Sequence, residues 1–223
     1  NHAGNVYAGQ NLDAQATSLS NSGGLYAKGN ATVDASGAVN NTGTVAAQGN
    51  THVGAQTVSQ GSSGVLAAGL KSDGTLIGAG SGTGNLTVTS SGSQSLQGQA
   101  IAAQTLSVSG TAVDANHARI SAQDVSVTAS SGDVNTSGGQ VVAANTLSVN
   151  ASTGSAQTLN NTGGVLRANQ LNLQVANLSN SAGQVLQTGA GDATIALQAQ
   201  GAASATGTLT NTNGGVIASN ATN

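Results

Sequence analysis

A motif that returns at a regular interval constrains this chain more than any other feature. The unit starts with Leu159-Asn-Asn-Thr-Gly-Gly, runs through alternating aliphatic residues, and meets the same chemistry again at Leu178-Ser-Asn-Ser-Ala-Gly. A segment that returns to its own starting chemistry is one unit of a repeat array, because each unit buries against its neighbours the apolar face that it cannot bury alone. The motif therefore predicts one turn of a coil.

The same corner motif recurs along the chain. An aliphatic residue is followed two positions later by Asn and then by Gly, in stretches that begin at Leu19, Val39, Leu159, Leu178 and Leu209. At Val134 the Asn place is taken by Thr136. Gly and Asn tolerate a positive φ, so a corner can be turned at these places without strain. Asn213, which stands where Gly163 stands in an earlier unit, fits this interpretation.

Between the corners, aliphatic residues alternate with polar ones. A period of two places them on one face of a β-strand, and no window of similar length has the periodicity of a helix. The clearest examples are Leu86/Val88, Leu106/Val108, Val125/Val127/Ala129, Leu147/Val149/Ala151 and Leu171/Leu173/Val175. The sequence predicts an all-β fold, a parallel β-helix of about ten turns with roughly 20 residues per turn. The absence of proline agrees with strands that are paired on both sides.

Two stretches break the period. Within the first, near 62–96, a hairpin is predicted to project from the coil over 65–77, because Asp73-Gly74 between aliphatic arms is a strong tight-turn signal. In the second, the interval from Leu178 to Leu209 is much longer than a regular unit, and a loop is predicted at 200–207. Such excursions are where repeat scaffolds usually place a partner-facing surface.

Composition excludes several classes of function. Charged residues are 5% of the chain, and four scattered cations do not form the basic surface that binds nucleic acid. No apolar run approaches the ~20 residues of a membrane span, so no membrane insertion of this segment is expected. The lack of aromatics other than Tyr7 and Tyr26 predicts a narrow interior filled by short side chains. We expect a monomer.

No catalytic, cofactor-binding or metal site is predicted. His2, His52 and His117 fall in three different units, with no second ligand at metal-binding spacing. Asp13 follows Leu12 as Asp34 follows Val33, so the two carboxylates could lie near one another on adjacent turns and hold a cation. No Lys or Arg stands beside both, and solvated surface residues are the favoured interpretation.

The densest polar group is Asp114, His117 and Arg119. Because it lies in the pattern of a corner followed by a strand, we expect a structural Asp–Arg pair there. The many serines lack a positioned base, and the Gly-rich pieces lack the ending of a phosphate-binding loop. The chain is therefore predicted not to be an enzyme; a polysaccharide-cleaving enzyme that uses Asp13, Asp34 or Asp114 is the least favoured alternative.

The corner motifs carry a resemblance to a known family. The stretches that begin at Leu159 and at Leu209 resemble the repeats of the filamentous haemagglutinin family. The stretches 64–76 and 125–135 look like the first repeat region of contact-dependent growth inhibition filaments. The resemblance covers nearly the whole chain and is specific for the repeat family.

The resemblance implies a right-handed coil in a large exoprotein of Gram-negative bacteria, secreted to the cell surface through an outer-membrane pore by two-partner secretion. The family's secretion domain bears Asn-Pro-Asn motifs; this chain has no proline, so pore recognition is expected outside it. We interpret 1–223 as a single β-helix segment excised from a larger chain. Its expected function is a structural stalk that presents a distal adhesive or toxin-delivery region. The alternative is an adhesin module that binds a glycan or receptor on target cells through its excursions.

Overall fold

The computed structural model describes residues 1–71, 75, 82–151, 157–198 and 207–220. Every regular element in these ranges is a β-strand, and all the strand pairs are parallel. Successive strands of the chain lie on three different faces, and each strand pairs with the strand at the same place in the next turn. The predicted parallel β-helix is confirmed.

Three stacks of strands form the faces of the coil. The first face contains β1 (Asn5–Ala8), β4 (Gly24–Ala27), β7 (Thr44–Ala47), β10 (Val65–Ala68), β13 (Gln99–Ala102), β16 (Arg119–Ala122), the first part of β19 (Gln140–Ala151), the first part of β21 (Val165–Val175), β23 (Gln184–Gln187) and β26 (Val216–Ser219). The second contains β2 (Leu12–Ala16), β5 (Ala31–Ala35), β8 (Thr51–Ala55), β11 (Leu86–Ser90), β14 (Thr105–Gly110), β17 (Asp124–Ala129), the remainder of β19 and β21, and β24 (Thr194–Leu197). The third contains β3 (Leu19–Asn21), β6 (Ala38–Asn41), β9 (Thr57–Gln60), β12 (Gln94–Leu96), β15 (Val113–Asp114), β18 (Val134–Asn135), β20 (Thr158–Asn160), β22 (Asn177–Ser179) and β25 (Thr208–Thr210).

The register of the first face gives the length of each turn. Paired residues are 19 apart for Asn5 and Gly24, 20 apart for Gly24 and Thr44, and 21 apart for Thr44 and Val65. The described coil has about 9 turns with ~21 residues per turn, close to the prediction from the sequence.

Three turns are longer than this. The paired residues are 34 apart from Val65 to Gln99, 25 apart from Gln140 to Val165, and 32 apart from Gln184 to Val216. The sequence predicted extra residues in the first and third of these turns and missed the second. The predicted loop at 200–207 lies outside the described residues except for Gly207.

The hairpin predicted over 65–77 differs from the structure in its first arm. Val65–Ala68 does not project, because β10 pairs in parallel with β7 on one side and β13 on the other, and Leu66 is buried in the core. Alternating aliphatics suit a coil strand as well as a hairpin arm, which explains the difference. The backbone N–H of Lys71 donates to the carbonyl of Thr75 at 2.8 Å, and residues 72–74, 76 and 77 of the predicted hairpin lie outside the described residues.

Strands β11 and β12 also belong to the coil. Leu86 of β11 stacks between Thr51 and Leu106, and Gln94 of β12 stacks between Val58 and Val113. The extra residues of this long turn therefore lie between β10 and β11 in the chain.

The interior is a narrow column of aliphatic side chains. Leu171, Leu173 and Val175, predicted to point inward, are at most 2% exposed. They stack in register on Leu147, Val149 and Ala151 of the preceding turn. Such stacking gives each turn a dry contact with the next, which is how a turn too thin to have its own core becomes stable.

The Asn of the corner motif forms a buried ladder at the corner that follows the third face. The Nδ2 of Asn21 donates to Oδ1 of Asn41 at 2.8 Å, and the same bond joins Asn161 to Asn180 and Asn180 to Asn211, each at 2.8 Å. The sequence assigned these Asn residues to strain-free corners and missed the ladder. The positive φ predicted for the corner is found two residues after the ladder Asn, at Gly163 (63°) and at Asn213 (52°).

No helix that could span a membrane occurs among the described residues.

Candidate functional site

The outward side chains of the second and third faces are mostly polar. On the second face, Thr87 and Thr89 stack on Ser107 and Ser109 of the next turn. On the third face, Ser59, Ser95, Asp114 and Asn135 occupy equivalent outward places in successive turns.

The first face differs because its outward column contains apolar residues. Tyr7 and Tyr26 stack there with ring centroids 5.1 Å apart and planes within 9° of parallel. Ala46 and Ala67 follow in the next turns and are each 1% exposed, since Leu70 packs against them from outside. Farther along, the same column contains Ile101, Ser121, Val142, Arg167 and Leu186.

The sequence suggested that Asp13 and Asp34 could lie near one another on adjacent turns, but their strands pair in a different register. Leu12 stacks on Ala31 and not on Val33, so Asp13 pairs with Thr32 and Asp34 pairs with Gln15. Asp13 accepts a hydrogen bond from Nε2 of Gln15 at 3.3 Å. The two carboxylates are thus offset by two positions along their strands and do not stack directly.

Asp34 instead forms an ion pair with His52 of the next turn, with Nε2 of His52 3.3 Å from Oδ1 of Asp34. Gly54 makes room for this pair: a Cβ at that position would lie 2.5 Å from the same carboxylate oxygen. Both side chains are partly exposed, so the pair contributes little to stability. Within the described ranges, no three His or Asp residues come together as metal ligands.

The predicted Asp114–Arg119 pair is wrong. Asp114 ends β15 on the third face and Arg119 begins β16 on the first face, so the corner directs the two side chains onto different surfaces. Oδ1 of Asp114 accepts from Nδ2 of Asn135 at 2.9 Å and from the backbone N–H of Asn116 at 3.2 Å. Asp114 therefore links neighbouring turns.

The three histidines lie in three separate turns. His2 bridges to Asn21 at the first described turn. His52 lies on the second face beside Asp34. His117 is an exposed corner residue with a φ of 56°, at the place that Gly138 and Gly163 occupy in later turns.

Shallow depressions indent the outer surface of the described coil, and two of them bear on function. The larger, of about 440 Å³, runs along the third face, and its polar lining includes Ser59, Ser95, Asp114, Asp133 and Asn135. Both carboxylates are already engaged, since Oδ1 of Asp133 accepts from the backbone N–H of Thr158 at 2.7 Å. This arrangement stabilises the stacked turns.

The smaller depression, of about 340 Å³, lies on the first face. Ser121 is its lowest point because it replaces an aliphatic residue between Ile101 and Val142. Arg119 stands at its edge, flanked by Gln99 in the preceding turn and Gln140 in the following turn. The sequence predictions missed this site, which becomes visible once residues are assigned to faces by their position within each turn.

Comparison with known proteins identifies the repeat. No protein-family model matches the chain, and no solved structure matches it. Over 193 residues it is 35% identical to toxin CdiA of Yersinia pestis, a filamentous haemagglutinin-type protein of two-partner secretion. Most of this chain is thus similar to a segment of a filamentous haemagglutinin-type protein. The match covers 84% of the chain and 6% of the toxin, so the chain spans a small part of that relative's length.

The residues that carry the family resemblance have a physical role in the coil. In the stretch that begins at Leu159, the Leu is fully buried and Asn161 belongs to the amide ladder. A Cβ on Gly164 would lie 2.3 Å from the carbonyl oxygen of Thr136 in the preceding turn, so only Gly fits there. The residues of the motif are therefore those that the packing of one turn on the next requires.

Proposed function

We propose that this chain is a segment of a structural stalk in a secreted filament at the bacterial cell surface. The stalk extends from the cell and presents a distal adhesive or toxin-delivery region to a target cell. The observation that carries this proposal is the continuous in-register pairing of all three faces along the described coil. At about 4.8 Å per turn, nine turns add roughly 40 Å of reach.

The outer surface supports a mechanical role over a catalytic one. Asp114 and Asp133 bond to neighbouring turns, and Asp34 pairs with His52. These groups reinforce the stack, and the carboxylates of Asp114 and Asp133 are engaged in hydrogen bonds within it. Export through the outer-membrane pore of a two-partner system is part of this proposal, with pore recognition assigned to another part of the parent protein.

A replacement experiment tests the stalk. Residues 1–223 of the parent protein are exchanged for nine turns of an unrelated parallel β-helix, and surface display is measured together with delivery to target cells. A stalk predicts that both remain close to the wild-type level, because only length and stiffness are required. A variant that is displayed normally but no longer engages target cells contradicts the stalk.

The second candidate is an adhesin module that binds a glycan or receptor through its excursions near 62–96 and 200–207. The long turns that follow Val65 and Gln184 favour it, since extra residues in a regular coil are the usual site of binding surfaces. Shortening both turns to the regular length should abolish binding to cells or to a glycan array. Binding that survives both changes excludes these excursions as the adhesive site.

A further inference from the structure

Charge is segregated among the faces of the coil. Both arginines of the chain lie in strands of the first face, Arg119 in β16 and Arg167 in β21, and Lys28 directly follows β4. Among the described residues, no Asp lies in a strand of the first face. The described Asp residues lie on the second and third faces or at corners: Asp13, Asp34, Asp114, Asp124, Asp133 and Asp192.

We propose that the outer surface of the first face, from β13 to β23, binds an acidic polysaccharide whose sugars bear carboxylates. The site has two guanidinium groups and an apolar depression between them. It goes beyond the stalk function.

The two arginines are placed to hold carboxylates. Arg119 and Arg167 point outward and are exposed, because their neighbours Ile120 and Leu166 are buried in the core. In the described part of the chain, neither arginine lies within ion-pair distance of a carboxylate. The contact of that kind found there joins His52 and Asp34. A free guanidinium binds a carboxylate through two parallel N–H···O bonds, which gives it both strength and a defined orientation.

Their spacing suits a linear ligand. Arg119 stacks on Gln140, and Val142 of the same strand stacks on Arg167, so Arg167 lies two turns from Arg119 and two positions farther along its strand, an offset of about 7 Å across the face. Two turns correspond to about 10 Å along the coil axis. A polysaccharide that runs obliquely across the face can present one carboxylate to each arginine, and contact at both arginines strengthens binding beyond either one alone.

The depression at Ser121 supplies the remaining contacts. Ile101 and Val142 form its apolar sides, against which the C–H surface of a pyranose ring can pack. The amides of Gln99 and Gln140 stand beside Arg119 and can bond to sugar hydroxyls. A surface with two cations and an apolar notch is too weakly charged for nucleic acid, whose binding requires many phosphate contacts.

The test uses the whole chain, residues 1–223, with an oligogalacturonate about ten sugars long, and a neutral maltooligosaccharide of equal length as the ligand control. Calorimetry should detect binding of the acidic sugar alone, and the binding should weaken with added salt. The double variant Arg119→Gln/Arg167→Gln should lose at least about tenfold in affinity, and the Arg→Lys pair should lose less because charge remains without the bidentate geometry. Equal affinity of the Gln double variant and the native chain overturns the proposal.

A matched pair of substitutions isolates the depression. Ser121→Leu fills the notch on the first face, and Ser126→Leu adds the same side chain to the outward surface of the second face in the same turn. We expect the first to weaken binding severalfold and the second to leave it unchanged, with circular dichroism confirming that both variants are folded. Failure of the native chain to bind oligogalacturonate overturns the proposal. It is also overturned if anionic lipid vesicles bind instead and the Ser121→Leu change has no effect on that binding.

Discussion

The corner after the third face has two different solutions in two regions of the coil. At both ends of the array the corner holds paired amides, the buried Asn21 with Asn41 and the buried Asn161 and Asn180 with the exposed Asn211. In the middle, the places equivalent to these contain Leu96 and Ala115, which are at most 1% exposed. The fold therefore requires this place to be filled, and a buried amide is one way to fill it, beside the aliphatic side chains of the middle turns and the hydroxyl of Thr136.

Asn180 shows what the amide solution provides. Its Nδ2 donates to the carbonyls of Gly183 and Val216, both at 3.1 Å, and to Oδ1 of Asn211. Its Oδ1 accepts from Asn161. A side chain at one corner thus satisfies backbone groups of its own turn and the next, which a leucine cannot do.

Gln60 marks the change from one solution to the other. It stacks on Asn41 in the preceding turn and on Leu96 in the following turn. Its Nε2 donates to the carbonyls of Gly64 at 2.8 Å and Gln99 at 2.7 Å, so it satisfies the backbone without a side-chain partner in the apolar turn that follows.

The largest predicted effect is on the core that both regions share. Leu173→Asp places a charge in a fully buried site and should destabilise the chain by about 4 kcal/mol or more. The matched change Gln174→Asp, at the exposed neighbouring position, should alter stability by no more than about 0.5 kcal/mol. Urea denaturation measures both. If Leu173→Asp unfolded at the same urea concentration as the native chain, the inward register assigned to this strand would be wrong.

Exchanging the two corner solutions should give an intermediate effect. Asn180→Leu removes the donor of the Gly183 and Val216 carbonyls and should cost about 3 kcal/mol. The reverse change, Leu96→Asn, buries an amide between Gln60 and Ala115 and should cost about 2 kcal/mol. Both are read from urea melts. If Leu96→Asn were neutral, the middle corner would accept either solution and the contrast between the regions would have no energetic basis.

The smallest predicted effect concerns the corner residues with positive φ. Ala182 has a φ of 53° and Gly163, one turn earlier, has a φ of 63°. Ala182→Gly should stabilise and Gly163→Ala should destabilise the chain, each by about 1 kcal/mol, since the Cβ of Ala strains the left-handed conformation and Gly has no Cβ. No atom lies within 4 Å of a Cβ built on Gly163, so backbone strain is the sole contribution there. Changes of the same sign in both variants would contradict the shared corner geometry.

The sequence predicted what is local and periodic. The unit from Leu159 to Leu178, the inward rail at Leu171, Leu173 and Val175, and the positive φ at Gly163 and Asn213 all follow from patterns within one turn. Each of these signals recurs in several turns, so the copies of one pattern support one another.

Features that depend on contacts between turns were missed or misplaced. The amide ladder joins side chains that belong to different turns, and the same Asn could equally have served as a corner residue. In the structure, Asp13 and Asp34 are offset by two positions, because Leu12 pairs with Ala31 and not with Val33. The placement of both arginines on one face depends on the length of every intervening turn, which the sequence pattern does not give.

Each turn is a unit that stacks in register on the next, and removal of one turn tests this most directly. Deletion of residues 159–177 joins Thr158 to Leu178, which then stacks on Val134 in place of Leu159. This deletion of a whole turn should leave a cooperative thermal transition, monitored by circular dichroism, within a few degrees of the native chain. The control deletion of residues 160–169 removes half a turn, misplaces every later corner and should abolish cooperative folding of the C-terminal turns. Loss of folding in the whole-turn deletion, or equal tolerance of both deletions, would contradict stacking by whole turns.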